Sequence, residues 1–131
     1  MKKHGILNSH IAKVLADLGH TDTIVIADAG LPVPPGVPKI DLALTLGTPG
    51  FKDITKLIAE EMVVEKVTAA TEIHTGNPEQ AEFLRKLFSK QPIEYIPHEA
   101  FKEAAKRAKT VIRTGEATPF ANCILHAGVI F

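Results

Sequence analysis

The chain is 131 residues long, 45% hydrophobic and 23% charged, with 15 Lys and Arg set against 15 Asp and Glu. That length fits one domain over residues 1–131, and the composition excludes a disordered or fibrous chain. A net charge of zero, with basic residues spread among acidic ones, argues against nucleic acid and anionic membrane as partners, because both demand a dense positive field; a neutral ligand fits better.

From the start, Met1 to Gly5 carries two lysines but no apolar signal core follows, and no apolar run approaches the roughly 18 residues of a membrane span, so a cytoplasmic protein is predicted. Ile11, Val14, Leu15 and Leu18 recur at helical spacing, predicting a helix over Ser9 to Leu18 with Asn8 as N-cap and Gly19 at C′, closing at His20. Thr23 to Ala27 is short, β-branched and apolar on both faces, as a strand covered by helices should be, and Asp28 lies at its carboxyl edge. Ala29 to Pro38 holds four prolines and two glycines and reads as a stiff loop.

Ile40 to Leu46 alternates apolar and polar positions, predicting a strand stopped by the turn Gly47 to Gly50. A helix from Phe51 to Met62 and a strand from Val63 to Ala70 follow. Asn77 and Pro78 read as N-cap and N1 of a helix reaching about Ser89. The alternation continues with a strand at Ile93 to Ile96, a helix at His98 to Ala108, a strand at Thr110 to Arg113 and a last strand at Asn122 to Phe131. This order defines an α/β fold with a helix-flanked, partly parallel sheet of about six strands. The final two strands have no helix between them, which predicts at least one antiparallel pairing.

His20 and Asp28 bracket one short buried strand. Five extended residues span roughly 17 Å, so the two side chains meet only if the chain bends or a neighbouring copy supplies one of them. Taken singly, His20 also reads as a helix-end residue suited to the dipole, and Asp28 as a turn former before Gly30. His98 and Lys102 lie one helical turn apart and can share a face. Arg113 to Asn122 is a polar loop that carries Glu116, or equally a simple hairpin connection. His126 reads as a packed or interface residue, His4 and His10 as surface or helix residues, and His74 as part of a turn.

Cys123 is the only cysteine, so no internal disulfide is available, and its apolar surroundings predict packing. With no H-E-x-x-H, cysteine pair or acidic cluster, no metal site is expected. Without a P-loop, a G-x-G-x-x-G or a G-x-S-x-G, nucleotide hydrolysis, hydride transfer and serine nucleophile chemistry fall away, and no cofactor is expected.

The segments Gly19-His20-Thr21-Asp22, Ile24 to Pro34 and Arg113-Thr114-Gly115-Glu116 through Asn122, in this order and spacing, resemble the ribose pyranase and fucose mutarotase family along the whole chain. Gly30-Leu31-Pro32 and the turn Leu46 to Gly50 resemble its ribose branch. The resemblance implies a three-layer α/β/α fold, interconversion of the pyranose and furanose forms of D-ribose, and self-association into rings, as a pentamer or decamer with sites at subunit boundaries. By matched position it implies His20 as the catalytic acid and Asp28, His98, Lys102, Phe120, Ala121 and Asn122 around the sugar. Tyrosine is common in the family where Phe120 stands, so packing or a backbone contact is expected there. A mutarotase for another sugar such as L-fucose, a non-catalytic sugar-binding accessory of a transporter, and a structural assembly protein are the competing readings.

Overall fold

The pentapeptide Thr23–Ala27 forms strand β1, and its burial decides the architecture. Successive side chains of a strand face opposite sides of the sheet. Ile24 and Ile26 therefore enter one apolar cluster with Phe51, Ile58 and Leu84, while Val25 and Ala27 enter a second with Phe101, Ala105 and Val111. All four β1 residues are fully buried, which requires a helical layer on each face. Burying each of the larger aliphatic side chains stabilises the fold by about 1.5–3 kcal/mol.

The structure, a computed structural model, describes residues 1–131 and has those two layers. Helices α1 (Ser9–Asp17), α2 (Phe51–Glu61), the short α3 (Ile73–Gly76) and α4 (Pro78–Leu87) supply the first cluster, and α5 (His98–Ala105) supplies the second. Strands β2 (Lys39–Asp41), β3 (Val64–Ala70), β4 (Ile93–Ile96), β5 (Val111–Arg113) and β6 (Cys123–Ala127) join β1 in the order β2-β5-β1-β6-β3-β4. β6 runs antiparallel to its neighbours β1 and β3, and the other pairings are parallel. The expected largely parallel α/β/α sheet and its antiparallel element are both present. Asn8 Oδ1 caps α1 by accepting from Ile11 N at 3.0 Å, and Asn77 Oδ1 caps α4 by accepting from Gln80 N at 3.4 Å, as their sequence positions predict. No helix is long and apolar enough to cross a membrane.

Four expectations are corrected. The strand expected over Ile40 to Leu46 ends at Asp41, because β5 ends at Arg113; Leu42 N makes the last bond, to Arg113 O at 2.9 Å, and Leu44 and Leu46 stand exposed. The last strand ends at Ala127 rather than Phe131, because its partners run out near Thr23 and Val64, and Ile130 and Phe131 project outward. The helix from His98 stops at Ala105 rather than Ala108. Finally, β5 and β6 do not form a hairpin. β1 lies between them, so the loop 114–122 crosses over the carboxyl end of β1.

Candidate active site

That crossover brings Asp28 and Asn122 together at the carboxyl edge of β1. Asp28 N donates to Asn122 Oδ1 at 2.8 Å, and Asn122 Nδ2 donates to Asp28 Oδ2 at 2.9 Å. Asp28 Oδ1 also accepts from Gly30 N at 2.9 Å and Leu31 N at 2.8 Å, the local turn expected of an aspartate before glycine. A carboxylate offers about four acceptor positions. Three are filled here, so one remains for a ligand hydroxyl. Asn122 is only 1% exposed and acts as a clamp on Asp28.

The loop itself is tied down from below. Glu116 Oε1 accepts from Phe51 N at 3.1 Å and from Gln80 Nε2 at 3.3 Å, while Glu116 Oε2 accepts from Thr118 Oγ1 at 2.8 Å. The Asn77 amide donates to Thr118 Oγ1 and to Pro119 O, both at 2.8 Å. The N-cap of α4 thus also anchors the loop, and Ala121 is fully buried behind it. Phe120 takes a left-handed backbone, φ 57°, uncommon for a bulky residue and characteristic of functional sites.

The Phe120 ring lies over Gly76, where a Cβ would come within 2.7 Å of it. It meets the His98 ring edge to face, centroids 5.2 Å apart at 82°, and His98 stacks on Phe101 at 6.4 Å. Pro97 offers no side-chain cap to α5; Glu72 substitutes, accepting from His98 N at 2.8 Å. His98 Nδ1 is buried without a hydrogen-bond partner. A buried imidazole nitrogen normally finds a partner, which sets this one apart among the residues of the site. Lys102 is on the same helix, its Nζ 2.8 Å from Glu99 Oε1, and that ammonium holds the Glu99 carboxyl below its ordinary range.

His20 is on the other edge of the sheet. Its Nε2 stands 2.8 Å from Glu65 Oε2, and both side chains are about half exposed. Thr21, the next residue, is the other non-glycine with positive φ, at 72°, and its N–H bonds to Ala127 O at 2.9 Å. The chain does not bend back between His20 and Asp28: β1 runs straight through the sheet, paired on both sides.

Within one chain, then, Asp28, Ala121 and Asn122 form one unit and His98 and Phe120 another, joined through loop 114–122, with Lys102 on α5 beside them. His20 is separate. A depression of about 430 Å³ over Asp28 is lined by Ala29, Gly30, Leu46, Glu116 and Thr118 among others. A larger, mostly apolar cavity of about 550 Å³, walled by Ile6, Leu7, Ile11, Leu42 and Ile54 with Asn8, Asp41 and Thr48 as its polar members, holds none of the candidate residues. Glu72 and Glu65 were missed by sequence reasoning, because each acts on a residue 26 or 45 positions away. No local signal marks them.

A mixed α/β sheet whose polar groups gather at the carboxyl edge of its central strand defines a small α/β protein with its polar site where open sheets bind ligands. The chain belongs to the RbsD / FucU transport protein family, whose model matches residues 1–130. It is 82% identical over 131 residues to the D-ribose pyranase of Bacillus licheniformis and 69% identical over 131 residues to that of Bacillus subtilis, covering 100% of each chain in both cases. Among solved structures, it is similar to Bacillus subtilis RbsD complexed with D-ribose, with a TM-score of 0.99, 69% identity and 100% of both chains covered. The Streptococcus pneumoniae fucose mutarotase in complex with L-fucose shares the fold, with a TM-score of 0.83 at 24% identity over 99% of this chain and 100% of that one.

Proposed function

We propose that this protein is an isomerase that interconverts the β-pyranose and β-furanose forms of D-ribose. The observation that carries this reading is the whole-chain identity of 82% with a D-ribose pyranase, and the likeness to a ribose-bound structure supports it. In this reading Asp28, His98, Lys102, Phe120, Ala121 and Asn122 line the sugar site. The free acceptor position of Asp28 and the unpartnered Nδ1 of His98 suit hydroxyl groups. His20 is the acid, and because β1 separates it from Asp28 it serves the site of an adjacent copy.

Ring opening places a proton on the pyranose ring oxygen, removes one from the anomeric hydroxyl and breaks the bond from C1 to the ring oxygen, leaving the open-chain aldehyde. Closure forms the bond from C1 to O4, with O4 losing its proton and the carbonyl oxygen gaining one. One C–O bond breaks, another forms, and the protein exchanges only protons with the sugar. An imidazole both donates and accepts a proton, so His20 serves both directions, and the chemistry calls for no metal or cofactor.

The same reading makes the protein a cytoplasmic ring of subunits, a pentamer or decamer, with sites at the boundaries. The exposed Leu44, Leu46, Ile130 and Phe131 are apolar surface that such assembly would cover. Magnetisation exchange between the anomeric protons of β-pyranose and β-furanose ribose tests the activity. Faster exchange with the protein, lost in folded and assembled His20→Ala, supports the reading. Exchange at the uncatalysed rate by an intact assembly moves the function to another sugar such as L-fucose or to binding alone.

A further inference from the structure

Glu65 sits at an irregular point of the sheet. The register of β3 against β6 pairs Val64 with Ala127 and then Lys66 with His126, so two steps along β3 answer one along β6. Glu65 is the extra residue of a β-bulge, a device that re-aims a side chain and is over-represented next to active sites. Its Oε2 points at His20 Nε2, 2.8 Å away, and neither side chain makes another hydrogen bond.

The backbone around the pair is held equally closely. Gly128 N donates to Val63 O at 2.8 Å, and a Cβ on Gly128 would stand 3.2 Å from Glu65 Cβ. On the other side, Thr21 N donates to Ala127 O, and Asp22 Oδ2 accepts from Gly19 N at 2.8 Å, so the turn bearing His20 is fastened at both ends.

We propose that Glu65 is a positioning residue for His20: its carboxylate accepts the Nε2 proton and leaves Nδ1 as the nitrogen that exchanges a proton with the sugar. The assignment rests on the reading of His20 as the acid. A free imidazole divides between two tautomers and rotates about its side-chain bonds; a carboxylate on one N–H selects the tautomer, sets the ring plane and stabilises the imidazolium. With Nε2–H given to Glu65, the protonated ring delivers the Nδ1 proton to the ring oxygen and takes back the proton released at the other oxygen. A half-exposed pair contributes little to folding, so its consequence lies in catalysis.

The test uses the full-length assembled protein and five variants: Glu65→Gln, Glu65→Asp, Glu65→Ala, His20→Ala and the double variant of His20→Ala with Glu65→Gln. Glu65→Gln is expected to lower kcat roughly tenfold or more with KM changed less than about twofold, and Glu65→Asp to recover part of the loss. In the His20→Ala background Glu65→Gln should cost nothing further, because it acts only through His20. Imidazole ¹⁵N spectra should show His20 as the Nε2–H tautomer in the wild type and as a mixture in Glu65→Ala.

Wild-type kcat in Glu65→Gln, a loss confined to KM, an equal further loss without His20, or unchanged His20 spectra in Glu65→Ala would each overturn the proposal. A wild-type protein that does not accelerate exchange would instead refute the ribose reading, and the ¹⁵N spectra would still decide whether Glu65 orients His20.

Discussion

Asp28 and Asn122, 94 residues apart in sequence, hydrogen-bond in both directions, backbone amide to side-chain carbonyl and side-chain amide to carboxylate. One buried amide therefore satisfies the end of β1 and fixes the orientation of the Asp28 carboxylate. Asn122→Ala leaves Asp28 N without that partner and is expected to lower stability by about 1–3 kcal/mol. KM for ribose should rise in the same variant, because the carboxylate is no longer held. Urea unfolding and exchange kinetics check the two effects, and unchanged values of both would show that the clamp has no consequence.

Gly76 is the floor under Phe120. A methyl there meets ring carbons at 2.7 and 2.8 Å, so Gly76→Ala must push the ring aside and disturb its edge contact with His98. Overpacking of this kind costs about 1–3 kcal/mol. The expected result is a higher KM together with a lower melting temperature. Phe120→Ala added to Gly76→Ala should remove the steric part of the loss in stability.

His126 supplies a pH dependence. Burial, aided by the Lys66 charge, lowers its pKa from the ordinary 6.5, and its Nε2 is 2.9 Å from Thr68 Oγ1. The folded protein thus binds this proton less readily than the unfolded chain. Its contribution to stability is complete above about pH 6.5 and is lost as pH falls from there toward the lowered folded value. Urea midpoints at pH 7.5 and 5.5 should differ less in His126→Gln than in the wild type; an equal difference would remove His126 as the source.

Cys123 is fully buried, and burial raises its thiol far above the ordinary 9.0. The reactive form is the thiolate, so the native thiol should be inert to an aromatic disulfide reagent at pH 8. Labelling is expected only in denaturant, at a rate set by unfolding. Rapid labelling of the native assembly would contradict this packing.

The strands and helices were legible wherever burial imposed one period. β1 and β4 have the predicted limits, and Asn8 and Asn77 cap the helices their positions suggest. Alternation misled at Leu44 and Leu46, whose pattern suits a strand but which have no strand to pair with after Arg113. The same holds for Ile130 and Phe131, apolar residues beyond the ends of both neighbouring strands.

By itself the sequence determined the α/β class, the position of Asp28 at the carboxyl edge of β1 and the polar character of loop 113–122, because each follows from local periodicity or turn chemistry. Tertiary structure alone decided that β1 lies between β5 and β6, that Asn122 clamps Asp28, that Glu72 caps His98, and that a bulge turns Glu65 toward His20. Those relationships join residues 26 to 94 positions apart. They depend on strand order and register, which are set by the packing of the whole sheet and leave no periodic trace in any one segment.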